Sequence, residues 1–172
     1  MKLKRISIFA LLTIALGSVS TAIAAPGQRA IAVVRGEKGV AGTVSFQPKE
    51  DQVEITVDIS GLSAGEHAIH VHEFGDCSAP DFSSAGPHYN PLGHKHGAPS
   101  APDRHVGDLG NLRPDPNGKV RRVTLDSLLS VGGERSIVGR AVIVHERADD
   151  LKTDPTGNAG GRIACGVIGL SK

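Results

Sequence analysis

The sequence is poor in aromatic residues and has no tryptophan. Of its 172 residues, one is tyrosine and four are phenylalanine. A core must therefore be built mainly from valine, isoleucine, leucine and alanine. After residue 24 the sequence shows no long helical periodicity, no internal repeat and no low-complexity segment. The sequence therefore predicts a fold built mainly from short strands.

An excess of charge of one sign is missing as well. Nineteen basic residues face eighteen acidic ones, and the formal net charge is +1. A near-neutral chain without a basic run gives no reason to expect nucleic acid or an anionic membrane surface as a partner.

The only long apolar run lies at the start of the chain. Lys2, Lys4 and Arg5 precede an apolar stretch at residues 6–17, and a small-x-small pattern ends at Ala24. This order predicts a signal peptide over residues 1–24 and a single mature domain over residues 25–172. An uncleaved membrane anchor is the alternative, but the apolar stretch is short for a span. Removing the leader's three basic residues changes the net charge from +1 to −2, because the leader has no acidic residue.

Cysteine is scarce: the chain has only Cys77 and Cys165. An even number of cysteines in an exported protein favours a disulfide, here closing a loop of about 90 residues. Two free thiols or a thiolate metal site are the competing interpretations.

Short runs rich in valine, isoleucine and threonine recur along the mature chain. They lie at residues 30–36, 40–48, 52–60, 66–73, 119–125, 137–145 and 162–170. Residues 126–130 are expected to form a turn or a short helix. Seven or so short strands predict an antiparallel β-sandwich or barrel.

Histidine is concentrated where the strand pattern gives way to a long loop. Seven of the eight histidines lie between residues 67 and 105. His70 and His72 are two apart on a predicted strand, so both side chains point to one face while Val71 points into the core. Residues 75–117 carry seven prolines and many glycines, and a loop of that length in a compact domain is usually functional or disordered.

The candidate metal ligands are six histidines and one carboxylate: His70, His72, His88, His96, His105, His145 and Asp108. Imidazole suits zinc and copper, whereas calcium and magnesium prefer oxygen. Seven ligands exceed the needs of one tetrahedral site, so two metals that share a ligand are the economical solution. Any one of these histidines taken alone would more often be a core or surface residue.

Six motifs, in order, resemble those of the copper-zinc superoxide dismutases. They are HVHEFGD (70–76), SAGPHYNP (84–91), KHG (95–97), RHVGDLGN (104–111), IVHERADD (143–150) and GNAGGRIACGVIG (157–169). The resemblance spans nearly the whole mature chain. It implies an all-β, Greek-key antiparallel sandwich or barrel of immunoglobulin-like type, with long metal-binding and active-site loops.

The resemblance also implies two metal sites. Copper would be bound by His70, His72, His88 and His145. Zinc would be bound by His88, His96, His105 and Asp108, with His88 as the bridge.

Further roles follow from the same motifs. Asp149 would accept hydrogen bonds from one copper ligand and one zinc ligand. Arg162 would attract a small anion to the copper, and Thr156 would line the channel beside it. His67 would support the site from below, whereas His94 and Asp150 are expected to be solvent-exposed.

The implied activity is the conversion of superoxide to dioxygen and hydrogen peroxide. Copper would be the redox metal, because zinc has no redox couple. His88 would leave reduced copper, take up a proton and deliver it to the peroxide.

The sequence departs from the family pattern in two ways. Cys77 lies eleven residues before His88, whereas many eukaryotic relatives have their cysteine where this chain has Phe82. This early position resembles the exported bacterial branch. The loop at residues 146–161 is shorter than usual, and its candidate steering charges are Lys152 and Asp154.

Two other functions would predict different residues at these sites. A periplasmic copper or zinc store, or a metal-delivery relative of the same fold, would be expected to lack a copper ligand or the channel arginine. A zinc hydrolase would need an open zinc position. The C-terminal CGVIGL resembles the homodimeric branch of the family, but exported bacterial relatives pair through another surface or stay monomeric.

Overall fold

Residues 27–172, which the computed structural model describes, form eight antiparallel strands in one nearly closed barrel. The strands are β1 (Arg29–Gly36), β2 (Ala41–Lys49), β3 (Gln52–Ser60), β4 (His67–His72), β5 (Asp108–Leu112), β6 (Val120–Asp126), β7 (Ala141–His145) and β8 (Arg162–Ser171). Their order in the sheet is β5-β4-β7-β8-β1-β2-β3-β6. Because β4 neighbours β7 and β3 neighbours β6, two connections cross the barrel as in a Greek key. The predicted all-β fold is confirmed, while the predicted leader lies outside the described residues.

The core follows from strict alternation along the strands. In β3, Val53, Ile55, Val57 and Ile59 are buried, while the residues between them are half-buried. Most of the core is aliphatic, and Phe46 is fully buried within it. The expectation of an aliphatic core is therefore confirmed. Within the part of the chain that the structure describes, no helix is long and apolar enough to cross a membrane.

Two strand predictions differ from the structure. β5 lies inside the segment that the sequence predicted to be loop. Its five residues include a glycine and do not alternate clearly between apolar and polar, so the sequence did not indicate a strand. It is held by pairing with β4, where His67 faces Leu112 and His70 faces Asp108. The run at residues 137–145 forms a strand only from Ala141 onward, since residues 138–139 form a turn.

Two covalent or ionic links hold the long loop to the barrel. Cys77 and Cys165 form a disulfide with a Cα–Cα distance of 5.8 Å, which excludes free thiols and a thiolate metal site. Arg104 is buried, donates to the carbonyl oxygen of His105 at 2.8 Å and pairs with Asp126 at the end of β6. The loop that carries most of the candidate ligands is therefore attached to both β6 and β8.

Candidate metal centre

The candidate ligands come from three strands and one loop that meet at a barrel wall. His70 and His72 lie on β4, His145 ends β7, and Asp108 begins β5. The other three histidines, all on the long loop, are His88, His96 and His105. All seven residues are buried. The fold therefore gathers the seven predicted side chains in one buried region.

Backbone hydrogen bonds register the loop against β4. Val71 donates to the Gly107 carbonyl oxygen at 2.9 Å and accepts from the Tyr89 amide at 2.8 Å. His72 and His88 form an isolated antiparallel bridge beside them. A Cβ atom on Gly107 would lie 2.2 Å from the Val71 carbonyl oxygen, so this close approach requires glycine. These backbone contacts therefore fix the position of the loop that carries the imidazoles relative to β4.

The first group of ligands contains imidazoles alone. Its members, each with one ring nitrogen within 4.8 Å of the others, are His70, His72, His88 and His145. The Nε2 atoms of His72 and His145 are 3.4 Å apart. His70 Nδ1 and His88 Nε2 are buried and have no hydrogen-bond partner. Four imidazole nitrogens converging in this way fit a copper ion, for which imidazole is a suitable ligand.

The second group is arranged around Asp108 Oδ1. This oxygen lies 3.1 Å from His88 Nδ1, 3.0 Å from His96 Nδ1 and 3.3 Å from His105 Nδ1. The Nδ1 atoms of His88 and His105 are 3.4 Å apart. Ligands bound tetrahedrally to zinc at about 2.0–2.1 Å lie about 3.3–3.4 Å from one another. The donor atoms therefore already have nearly the spacing that a zinc ion requires.

His70 also lies within 4.8 Å of three members of the second group. Its Nε2, however, is engaged by Asp149 Oδ2 at 2.8 Å. His70 Nδ1 is the atom left without a partner, and that ring belongs with the first group. The distances of His105 to Asp108 and His88 assign His105 to the second group.

His88 faces both groups at once. Its Nδ1 is near Asp108 and His105, whereas its Nε2 is the buried, unpartnered atom beside the first group. Every other histidine of the first group has one ring nitrogen turned to a protein acceptor: His70 to Asp149, His72 to the Gly86 carbonyl oxygen, and His145 to the Gly160 carbonyl oxygen. His88 is therefore the residue whose two nitrogens can serve two sites.

Asp149 connects the two groups from behind. Its Oδ2 is 2.8 Å from His70 Nε2, and its Oδ1 is 2.8 Å from His96 Nε2. Each acceptor leaves the opposite Nδ1 of its imidazole directed at the site. Asp149 therefore lies between His70 of the first group and His96 of the second.

Asn111 holds Asp149 and was not singled out in the sequence. Its side chain donates to the Asp149 carbonyl oxygen at 2.9 Å and accepts from the Asp149 amide at 2.7 Å. This paired contact fixes the main chain of Asp149 against β5. Asn111 is the last residue of the motif RHVGDLGN, and its place in that motif was the only indication of a role. The sequence did not indicate that its side chain would bind a residue 38 positions away.

Burial sets the protonation of the copper-side imidazoles. It lowers the pKa of His88 to about 4 and that of His145 to about 3, and it lowers the pKa values of His70 and His72 as well. Neutral imidazoles keep a lone pair for a metal.

The pKa values of Asp108 and Asp149 are lowered, whereas burial alone would raise the pKa of a carboxyl group. Burial would raise the pKa of Asp108, but hydrogen bonds from His105, His88 and His96 outweigh burial and lower it. The same balance, with His70 and His96 as donors, lowers the pKa of Asp149. For His96, burial lowers the pKa but the bonds to Asp108 and Asp149 raise it to about 10. Two ionised carboxylates therefore supply the negative charge of the centre.

Arg162 lies beside the first group. Its guanidinium donates to the Phe82 carbonyl oxygen at 2.5 Å and to the Gly86 carbonyl oxygen at 2.7 Å. The Gly86 oxygen also accepts from His72 Nδ1 at 2.8 Å. Cys165, three residues after Arg162, anchors the loop through the disulfide. A half-buried cation is thus held next to a first-group imidazole.

The remaining predicted residues have mixed outcomes. Thr156 lines a cavity of about 440 Å³ with His88 and His105, but Arg162 is not part of that lining. His67 Nδ1 lies 2.8 Å from the His145 carbonyl oxygen, in agreement with a supporting role. The prediction that His94 is solvent-exposed was wrong, because it is half-buried and its Nδ1 is buried.

The candidate steering residues have different surroundings. Asp154 Oδ1 accepts from the His96 amide at 2.8 Å and lies 3.8 Å from His105 Nε2. Its carboxylate therefore anchors the zinc-side loop. Asp150, which is exposed as expected, closes the turn of the short loop by accepting from Thr153 and Asn158. Lys152 is exposed on the same loop.

The barrel and its paired ligand groups define a protein with two adjacent metal sites joined by one histidine. Residues 40–168 match the family model described as copper/zinc superoxide dismutase, and the chain belongs to that family. It is 47% identical over 152 residues to a protein of Yarrowia lipolytica named "Superoxide dismutase [Cu-Zn]", and that match covers 83% of this chain and 98% of the relative. A protein of Talaromyces marneffei with the same name is 44% identical over 152 residues, with the same coverage. Copper and zinc are the cofactors that fit this family and these ligand groups.

The link through Asp149 predicts that its charge controls zinc binding. In Asp149→Asn, one of the two imidazole N–H groups would face an amide NH₂ in place of an acceptor. We expect the dissociation constant for zinc to rise about 10–100-fold, the usual effect of removing a group that orients a metal ligand. Competition with a chromogenic chelator measures this.

Asp150→Asn is the matched control, because it removes the same charge one residue away without touching a ligand. Equal zinc affinity in Asp149→Asn and wild type would contradict the role given to Asp149.

Proposed function

We propose that this chain catalyses superoxide dismutation with copper held by His70, His72, His88 and His145 and zinc held by His88, His96, His105 and Asp108. The observation that carries the assignment is the orientation of His88. Its Nδ1 faces the carboxylate-containing group, and its Nε2 faces the imidazole group. A single imidazole in that position supports a bridged pair of unlike metals.

Bound copper supplies a one-electron couple, by which one superoxide is oxidised to dioxygen and a second, with two protons, is reduced to hydrogen peroxide. The protein's part is positioning and charge. Arg162 attracts the substrate anion to the first group, because its guanidinium is fixed beside His72 by two carbonyl oxygens. The buried imidazoles cannot reorganise freely, so their rings keep their orientation through both half-reactions.

His88 Nε2 is the atom at which the protein can hold a proton between the half-reactions. That nitrogen is buried and has no hydrogen-bond partner in the protein, so a proton held on it can be passed to a peroxide product. Asp108 stays beside Nδ1 throughout and keeps the ring oriented.

A non-catalytic copper or zinc store of the same fold is the second candidate. Storage requires the ligand groups but gives no reason to fix a cation next to them. The two hydrogen bonds that hold Arg162 beside the first group therefore favour catalysis.

Removing His145 tests the copper assignment. We expect His145→Ala to lose copper and superoxide consumption while it retains zinc, because His145 contacts only the first group. Pulse radiolysis measures superoxide decay, and atomic emission measures both metals on the same samples.

His94→Ala is the control, since it removes a loop histidine outside both groups and should keep both metals and full activity. If fully metallated wild type consumed superoxide no faster than buffer, metal storage would become the better account.

Arg162→Gln tests the attraction of the anion. Loss of the guanidinium should lower kcat/KM about tenfold and weaken the dependence of the rate on ionic strength, since charge steering speeds the association of a charged substrate about 10–1,000-fold. Copper and zinc contents should not change.

Arg113→Gln removes the same charge from an exposed site paired with Glu66 and should behave as wild type. An unchanged rate and salt dependence in Arg162→Gln would exclude Arg162 from substrate attraction.

We also propose that two copies of the chain pair through an apolar patch formed by Val33, Phe74 and Val167. These side chains are 45–53% exposed. Val33 lies beside Val167 in the β1–β8 pair, and a Cβ atom on Gly75, which follows Phe74 in the chain, would lie 3.1 Å from Val167 Cγ1. A second copy fits such a patch, since a twofold interface buries the same surface on both partners.

Val167→Asp should convert the dimer to a monomer in sedimentation velocity, because each interface would receive two unpaired carboxylates. Val123→Asp introduces the same charge at an equally open site on β6, 58% exposed, and should stay dimeric. A wild-type monomer at micromolar concentration would refute this pairing.

We propose that the chain is exported from the cytoplasm. The basic and apolar leader at residues 1–24 supports export, and the disulfide between Cys77 and Cys165 suits an oxidising environment. The mature domain would then begin at Ala25 and work in the periplasm or outside the cell.

A further inference from the structure

The barrel has one seam that is not closed by a strand ladder. β5 and β6 are the two ends of the sheet order, and within residues 27–172 no backbone pairing joins them. Arg122 of β6 spans this seam: its guanidinium donates to the Asn111 carbonyl oxygen at 2.7 Å and to the Leu109 carbonyl oxygen at 3.2 Å. One side chain thus replaces part of the missing ladder.

The position of Arg122 is unusual for a charged residue. Its neighbours Arg121 and Val123 are exposed, so the alternation of β6 turns Arg122 toward the interior. Its Nε is buried without a hydrogen-bond partner, and among the described residues the guanidinium forms no ion pair with a carboxylate. Burial lowers the pKa of Arg122 accordingly.

An apolar residue could fill this space without that cost. Burying a cation without an anionic partner is unfavourable, and replacing such a group by a hydrophobic residue is often neutral or stabilising. Packing alone therefore does not account for an arginine here. What an arginine adds is a rigid fork that can bind two carbonyl oxygens of one strand at fixed spacing.

The strand that Arg122 grips carries two parts of the metal centre. Asp108 begins β5, and Asn111 clamps Asp149 by two hydrogen bonds of 2.7 and 2.9 Å. Asp149 in turn orients His70 and His96. The contacts form an unbroken path from Arg122 through the Asn111 peptide and side chain to Asp149.

We propose that Arg122 is a positioning residue for the bimetal centre, which it serves by fixing Asn111 so that Asp149 stays aligned with His70 and His96. The inference builds on the proposed metal assignment. It does not depend on whether the loaded protein turns over superoxide, because its consequences appear in zinc affinity and in proton exchange.

The test compares Arg122→Met, Arg122→Lys and Arg121→Met in the full mature protein loaded with copper and zinc. Methionine keeps volume without donors, and lysine keeps the charge without the fork. Arg121→Met removes the same charge from the exposed face of the same strand. The readouts are zinc transfer to a competing chelator and, in the reduced protein, NMR exchange rates of the Asp149 amide and the Nε2 protons of His70 and His96.

We expect Arg122→Met to raise the zinc dissociation constant about tenfold, at the lower end of the range for groups that orient a ligand. The three protons should exchange faster in the same variant. Arg122→Lys should be intermediate, and Arg121→Met should match wild type. The free energy of unfolding need not fall, since methionine can pack in place of a half-buried cation that has no anionic partner.

Wild-type zinc affinity and exchange rates in Arg122→Met would overturn the proposal and leave Arg122 as a seam residue only. If Arg122→Met does not fold, Arg122→Lys against Arg121→Lys decides the question by the same criterion. Loss of zinc affinity in an inactive protein would retain the role of Arg122 while rejecting the dismutase function.

Discussion

The metal centre depends on the fixed orientation of buried imidazoles. An imidazole without a partner for either nitrogen would rotate, and a ligand group built from such rings would have no defined geometry. In this chain the acceptors behind the rings are Asp149 and the carbonyl oxygens of Gly86 and Gly160. Only His88 presents both nitrogens to the site. The ring proposed as the shared ligand is thus the one that the rest of the protein leaves unengaged on one side.

The barrel can supply these acceptors because the long loop is not free to move. A flexible loop of this length would lose much conformational entropy each time it gathered its ligands. Here that entropy is removed in advance by the backbone bonds around Val71, by the disulfide, and by the buried pair of Arg104 with Asp126. The geometry of the centre is therefore a property of the folded chain, and a metal ion has little ordering left to do.

Much of this could be predicted from the sequence, for local reasons. The spacing of His70 and His72 and the strand alternation of β3 depend on neighbouring residues only. β5 could not be predicted, because Asp108–Leu112 becomes a strand only through its pairing with β4. The clamp between Asn111 and Asp149 and the grip of Arg122 on β5 join residues far apart in the chain. An arginine within an alternating run indicates a strand but does not indicate which face holds the charge.

The short loop at residues 146–161 shows how position decides the role of a charge. Asp149 is engaged by two imidazoles, Asp150 closes the turn, and Asp154 holds the His96 amide. Carboxylates used in this way are fixed against the protein, where they stabilise ligand geometry. A longer loop could carry separate residues for anchoring and for attraction. In this chain the loop's aspartates do the anchoring, while the cation beside the first group is Arg162, held by its two carbonyl oxygens.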